Sequence, residues 1–222
     1  MNSFGKFIPM MTLLLLASLF TACNSTSTSE DYYVQGSNYY TGANGVPVDK
    51  AKAIECWKLA ADAGNFHAQY NLGQCYYLGD GVAQDQQEAV KWYRKAAEQG
   101  YAKAQYNLGV CYERGEGIDK DIDEAIKWYS QAAEQGDPQA QYNLAQYYYD
   151  GIGVAKDLEK AAKLYQKSAE QGYDLAQYNL AVCYENAEGV AQNMEEAVKW
   201  YRKAAEQGNQ SAIDALKRLN QE

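Results

Sequence analysis

Glu88-Ala89-Val90-Lys91-Trp92-Tyr93-Arg94-Lys95-Ala96-Ala97-Glu98-Gln99-Gly100 decides the fold, because the stretch returns at a fixed interval. Copies occupy residues 124–136, 160–172 and 196–208, and the closing glycines Gly64, Gly100, Gly136, Gly172 and Gly208 fall 36 residues apart. A second block, Ala68-Gln-Tyr-Asn-Leu-Gly73, recurs at 104–109, 140–145 and 176–181, the last two ending in Ala. Between the blocks lies a glycine-rich joint: Gly79-Asp-Gly81-Val82, Gly115-Glu-Gly117-Ile118 and Gly151-Ile-Gly153-Val154, then Ala187-Glu-Gly189-Val190 without its first glycine. A period of this length over most of a chain describes an array of one small unit. Function is then expected on extended surfaces.

Both blocks read as helices. Ala68, Leu72, Cys75, Tyr76 and Gly79 make an apolar stripe at three-to-four-residue spacing, and Ala89, Trp92, Tyr93, Ala96 and Ala97 make another. Asp85, Asp121 and Asn193 stand three residues before Glu88, Glu124 and Glu196, which predicts an N-cap with the glutamate reaching back. Asp49 and Asp157 are followed by Lys52 and Lys160, so there the cap alone is expected. The closing glycine supplies a left-handed residue after each second helix. The predicted fold is all-α: an α-α solenoid of about five 36-residue helix-turn-helix repeats with a C-terminal capping helix.

These blocks resemble the Sel-one-like repeat family, relatives of the tetratricopeptide repeats, whose pattern they follow almost position for position from Tyr32 onward. The units implied are 32–67, 68–103, 104–139, 140–175 and 176–211, with 212–222 as the capping helix. In the first unit Tyr39-Tyr40 and Gly45-Val46 align, but Gly36-Ser37 replaces Leu-Gly, so its first helix reads as eroded.

The start of the chain is different in kind. Residues 1–22 hold Lys6 as their only charge and an apolar run from Ile8 to Phe20, the pattern of a signal peptide. Thr21-Ala22-Cys23 resembles a bacterial lipobox, which implies lipid attachment at Cys23, although Phe20 stands where that pattern usually has Leu; the other reading is an ordinary secretory signal with a chance cysteine near its end. Residues 23–31 read as the lipidated cysteine and a polar tether, and Asn24 in place of Asp implies, by the same resemblance, the outer membrane. The expected location is the bacterial cell envelope, facing the periplasm.

The formal charge is −9 with 20 basic residues, no basic stripe and three prolines, which disfavours nucleic acid and charge-driven adhesion to anionic lipid. Cys75, Cys111 and Cys183 share one register, where the third copy has Tyr147, and Cys56 stands where other copies have Trp92, Trp128 and Trp200. Equivalent positions of adjacent repeats lie roughly 10 Å apart, beyond the ~7 Å Cα reach of a disulfide. A bridge between Cys75 and Cys111 is therefore not expected, although one between Cys56 and Cys75 stays open. All four are expected to act as small buried hydrophobes. No metal or cofactor is expected, since no His or second Cys stands near any of them in the chain.

Catalytic patterns are sparse. His67 shares its register with Lys103, Gln139, Leu175 and Ser211, so it is expected exposed and idle. The glycine joints lack a following Lys-Ser/Thr, and Glu195-Glu196 reads as solvated charge. Some cysteine-rich members of the resembled family bind or hydrolyse β-lactams, but no nucleophile-base pair here carries that over.

Positions invariant across copies serve stacking, so specificity is expected where residues face the groove and vary: Gln74, Val110, Gln146 and Val182, then Tyr77, Glu113, Tyr149 and Glu185. Tyr70, Tyr106, Tyr142 and Tyr178 form a further aromatic ridge, or serve packing. Asn71, Asn107, Asn143 and Asn179 either bond a peptide backbone, as a resembling asparagine does in tetratricopeptide domains, or brace the turn between helices. Such a groove suits an extended peptide or a helix with some positive charge. The resulting expectation is a monomeric, non-enzymatic scaffold that binds a protein or peptide on its concave face, held to the membrane by lipid alone. Two other classes remain: a cell-wall or β-lactam enzyme or ligand-binding protein, and an exported host-interacting factor. An activity abolished by one polar substitution would mark the former. Independence from Cys23 would mark the latter.

Overall fold

The computed structural model describes residues 28–219, among which all regular structure is helical. Residues 1–27, with the expected signal peptide and Cys23, lie outside the described residues, as do 220–222. Eleven α-helices succeed one another: α1 Ser29–Thr41, α2 Lys50–Asp62, α3 Phe66–Leu78, α4 Gln86–Glu98, α5 Ala102–Arg114, α6 Ile122–Glu134, α7 Pro138–Asp150, α8 Leu158–Glu170, α9 Asp174–Asn186, α10 Met194–Glu206 and α11 Gln210–Leu219. A 3-10 turn, Ala43–Gly45, separates α1 from α2. None of these helices is long and apolar enough to cross a membrane.

The chain divides into two compact units, one ending at Ala68 and one beginning at Gln69. In the first, α1 packs on α2. The helix starts at Ser29, inside the stretch expected as tether, because Thr28 and Asp31 form a reciprocal capping box with the Thr28 amide donating to the Asp31 carboxylate at 2.7 Å. The expected erosion of α1 is a one-residue slip. Asp49 N–H donates to Tyr39 C=O here, as Asp85 does to Tyr76 in the next repeat, so the joint carries one extra residue. Tyr33, Gly36, Tyr39 and Gly42 thus correspond to Tyr70, Gly73, Tyr76 and Gly79. The 3-10 turn absorbs the insertion, with Asn44 at a φ of 55°. Gly36 is buried where a Cβ would come within 2.6 Å of the Trp57 ring, as one at Gly73 would come within 2.5 Å of Tyr93. His67 is not idle: it is half-buried and stacks on Tyr33 at 5.5 Å between centroids.

In the second unit each helix packs on its chain neighbours, from α4 against α5 through to α10 against α11. Small residues make the close approach possible, with Ala89, Ala96, Ala125, Ala132, Ala161, Ala197 and Ala204 fully buried. Asp85, Asp121, Asp157 and Asn193 accept from the backbone N–H three residues on, as expected of N-caps. The glutamates of the expected capping boxes do not reach back. Glu88, Glu124 and Glu196 turn to Lys91, Lys127 and Lys199 at 2.8–2.9 Å, since an ammonium one turn away offers a charge-assisted bond. Gly100, Gly136, Gly172 and Gly208 close the second helices at φ of 87–93°.

Buried glutamines tie one repeat to the next. Gln105, Gln141 and Gln177 are 3–4% exposed, and each donates to the carbonyl of Ala97, Ala133 or Ala169 in the preceding helix at 3.1–3.2 Å. Gln135, Gln171 and Gln207 donate in turn to their side-chain oxygens at 2.7–2.9 Å. Every such amide is satisfied, as burial requires.

Candidate functional site

The variable positions of the first helices resolve into a two-repeat pattern. In α3 Gln74 donates to the Tyr70 hydroxyl at 2.9 Å, and in α7 Gln146 donates to that of Tyr142 at 3.0 Å. Tyr101 meets Tyr70 edge-on at 5.2 Å, and Tyr173 meets Tyr142 in the same way at 5.2 Å. Tyr77 donates to Glu116 and Tyr149 to Glu188, each 39 residues further on in the joint of the following repeat. Where the register holds glutamate the bond runs inward. Glu113 accepts from the hydroxyls of Tyr129 at 2.9 Å and Tyr147 at 2.5 Å, while Glu185 accepts from Tyr201 at 2.6 Å and pairs with Arg218 at 2.6 Å.

This pairing shifts the tyrosines. Tyr77 lies above the usual phenol value first through its bond to Glu116 and then through burial. Tyr149 is pushed up to about 12 by the Glu188 bond and burial, and Tyr106 to about 12 chiefly by burial. Among the described residues none of the four cysteines forms a disulfide. Cys56, expected to be buried, is half-buried and its thiol donates to Gln35 at 3.7 Å, Cys75 is buried, and burial lifts the Cys111 and Cys183 thiols to about 12. Thiols so placed are packing groups and poor nucleophiles. Among the described residues no group of His, Cys, Asp and Glu could hold a metal ion.

The asparagines lie between repeats. Asn107 reaches the hydroxyls of Tyr70 and Tyr93, Asn143 that of Tyr129, and Asn179 those of Tyr142 and Tyr165. Each brace crosses from a first helix to tyrosines of the preceding repeat. Asn71 and Tyr178 are half-buried, the latter 5.6 Å from the ring of Tyr201.

Five candidates, Val110 among them, come together around one cleft of about 290 Å³. Gln74, Tyr77, Tyr106 and Asn107 line it, with Val110 and Cys111 on α5 and Tyr93 beneath. Leu78 and Arg114 complete the rim, and neither stood out in the sequence. Leu78 is 67% exposed, a large apolar side chain left in water, and the Arg114 side chain is 59% exposed. The register gives no hint of them, because Arg114, Asp150 and Asn186 replace Leu78 in the other copies. The expectation of a positively charged partner rested on Glu113 and Glu185, whose carboxylates are held internally. The charged group on the cleft rim is the guanidinium of Arg114, which pairs with Glu116 at 3.9 Å. Tyr142, Asn143, Gln146, Tyr149, Asn179 and Glu185 lie one or two repeats away from this cleft.

The family model described as the Sel1 repeat matches residues 36–65, 66–101, 102–137, 138–173 and 174–209. No curated protein matches the chain. Among solved structures it is similar to a protective antigen of uropathogenic Escherichia coli strains displaying an SLR fold. The TM-score is 0.80 and the identity 40%, over 85% of this chain and 40% of that one. A Sel1 repeat protein from Oxalobacter formigenes gives a TM-score of 0.80 at 35% identity, over 91% and 85% of the two chains. An immunity protein from Pseudomonas aeruginosa shares the fold alone, with a TM-score of 0.51 at 23% identity over 86% and 74%. This chain thus spans well under half of the E. coli antigen.

Proposed function

The chain belongs to the Sel1 repeat family, and from that premise we propose that it is a non-enzymatic scaffold that holds a protein partner in the α3–α5 cleft. The observation that carries this reading is the rim of Leu78 and Arg114 over a floor of tyrosines. An exposed aliphatic side chain beside aromatic rings and a solvent-facing guanidinium, loosely paired with Glu116 at 3.9 Å, is the composition of an interface anchor. The occupant would insert one apolar side chain against Leu78 and Val110 and place an acceptor before Arg114, while Gln74 and Asn107 offer amide hydrogen bonds. Catalysis finds little support at this cleft, whose thiol is lifted by burial and whose neighbouring carboxylates Glu113 and Glu116 are engaged by tyrosines.

The test is a capture from detergent-solubilised envelopes with the tagged chain and with a Leu78→Glu, Arg114→Glu variant. Both side chains are exposed, so the variant should fold. One protein recovered with the native chain and lost with the variant supports the proposal; identical recoveries overturn it.

Residence in the envelope through a lipid on Cys23 belongs to the same proposal, supported by the lipobox-like Thr21-Ala22-Cys23. A relative described as a protective antigen accords with it. Cys23→Ser should abolish labelling by a radioactive fatty acid and release the chain from membranes, whereas unchanged labelling would contradict the anchor.

A further inference from the structure

A second surface lies on α8, where the fourth repeat departs from the second, third and fifth. Trp92, Trp128 and Trp200 hold one register of the second helix, each 6–7% exposed, and in α8 that place is taken by Leu164. Four residues earlier, Glu88, Glu124 and Glu196 give way to Lys160. Positions four apart share one helix face, so the two departures act together. They remove an indole and reverse a charge at one spot.

The result is a depression of about 400 Å³ along α8, lined by Lys160, Lys163, Leu164, Gln166, Lys167 and Glu170. In the second and fifth repeats the lysine equivalent to Lys167 covers the tryptophan, with Lys95 3.9 Å from the ring centroid of Trp92 and Lys203 4.1 Å from that of Trp200. Lys167 has no such ring beneath it. Lys163 is drawn to Glu159 on its own helix, and the Lys160 ammonium stands 2.7 Å from the Tyr148 hydroxyl. Three exposed lysines thus surround an apolar floor in a chain whose formal charge is −9.

We propose that this depression docks an acidic segment of another protein through one aromatic side chain. The ring would lie on Leu164 where the second, third and fifth repeats carry their own indole, beneath the Lys167 ammonium, and flanking carboxylates would meet Lys160 and Lys163. Charge complementarity selects the acidic partner, since the rest of the surface repels it. The ring is selected because a lysine above an aromatic face is the arrangement the neighbouring repeats already build. This surface is separate from the α3–α5 cleft, and either can fail without the other.

The test is selection of a displayed library of random peptides on the full chain, with counter-selection on a Lys160→Glu, Leu164→Trp variant. That variant introduces residues which the other repeats carry, and circular dichroism confirms that it folds. Enriched peptides should carry a Trp, Tyr or Phe beside Asp or Glu and bind the chain about tenfold or more tighter than the variant. Lys167→Glu, a change at an exposed position, should weaken them comparably. The proposal is overturned if no peptide family distinguishes chain from variant, or if those that do lack either the ring or the acid. Self-association lost in the variant would assign the face to a second copy and overturn it as well.

Discussion

The Tyr149 hydroxyl donates to the Glu188 carboxylate at 2.8 Å, joining a first helix to the joint of the following repeat. Tyr77 and Glu116 repeat the relationship 72 residues earlier, so this bond recurs in every second repeat. Removing the hydroxyl with Tyr149→Phe leaves the ring in place and should cost about 1 kcal/mol. For a domain of this size that is a loss of about 2–4 °C in Tm, read by thermal melting. Tyr178→Phe, which keeps the ring contact with Tyr201 at 5.6 Å, serves as the control and should change little.

Alkali should unfold the chain in a defined window. Tyr149 and Tyr106 ionise near 12 in the folded protein, above the ordinary phenol value of 10. A raised folded pKa means that stability is intact below the unfolded value and is lost as pH rises through the folded one. Denaturation midpoints should therefore hold to about pH 10 and fall steeply by about pH 12. Tyrosinate absorbance near 295 nm should appear together with the loss of helix.

Ala187 adopts a φ of 60°, at the place where Gly79, Gly115 and Gly151 close the equivalent helices. A Cβ in the left-handed region costs about 1–2 kcal/mol. Ala187→Gly should therefore stabilise the chain by about 1 kcal/mol in urea unfolding. Gly189→Ala, two residues on, should do the opposite and cost more, because a methyl there collides with the Leu158 carbonyl of the preceding repeat.

Asp137 caps α7 by accepting from Ala140 N–H at 2.9 Å, yet burial raises its carboxyl pKa. As pH rises, the unfolded carboxyl ionises first, so ionisation of Asp137 works against folding. Asn65 and Asn209 perform the same cap in register, bonding Ala68 and Ala212. Asp137→Asn should keep the cap and raise Tm at pH 7. The gain should shrink as pH is lowered towards the carboxylate range.

The sequence displayed the period, the caps and the closing glycines because each is local: the residue that needs the geometry and the residue that supplies it stand within one turn. It also displayed the alternation of Tyr77, Glu113, Tyr149 and Glu185, but not its meaning. Their partners Glu116, Tyr129, Glu188 and Tyr201 lie 16 to 39 residues away, where only packing brings them together. In all four the varying side chain also makes a bond within the array, and Tyr77 does so while lining the cleft. Asn107, Asn143 and Asn179 stand beside tyrosine hydroxyls of the preceding repeat, a neighbourhood that the spacing does not display. Gly36 misled for another reason: one inserted residue in the joint shifted α1 by a single position, which a fixed 36-residue ruler cannot follow. Leu78 and Arg114 were invisible because their register has no repeating chemistry, and only exposure beside the cleft marks them.

The claim that the α3–α5 cleft holds a protein partner is tested most directly by photo-crosslinking. Leu78 is replaced by a benzophenone-bearing phenylalanine in the full chain, made in its native host and irradiated in intact cells. The account predicts one discrete adduct with another protein, lost when Arg114→Glu is added. Adducts absent at position 78, or unchanged by Arg114→Glu, would contradict it.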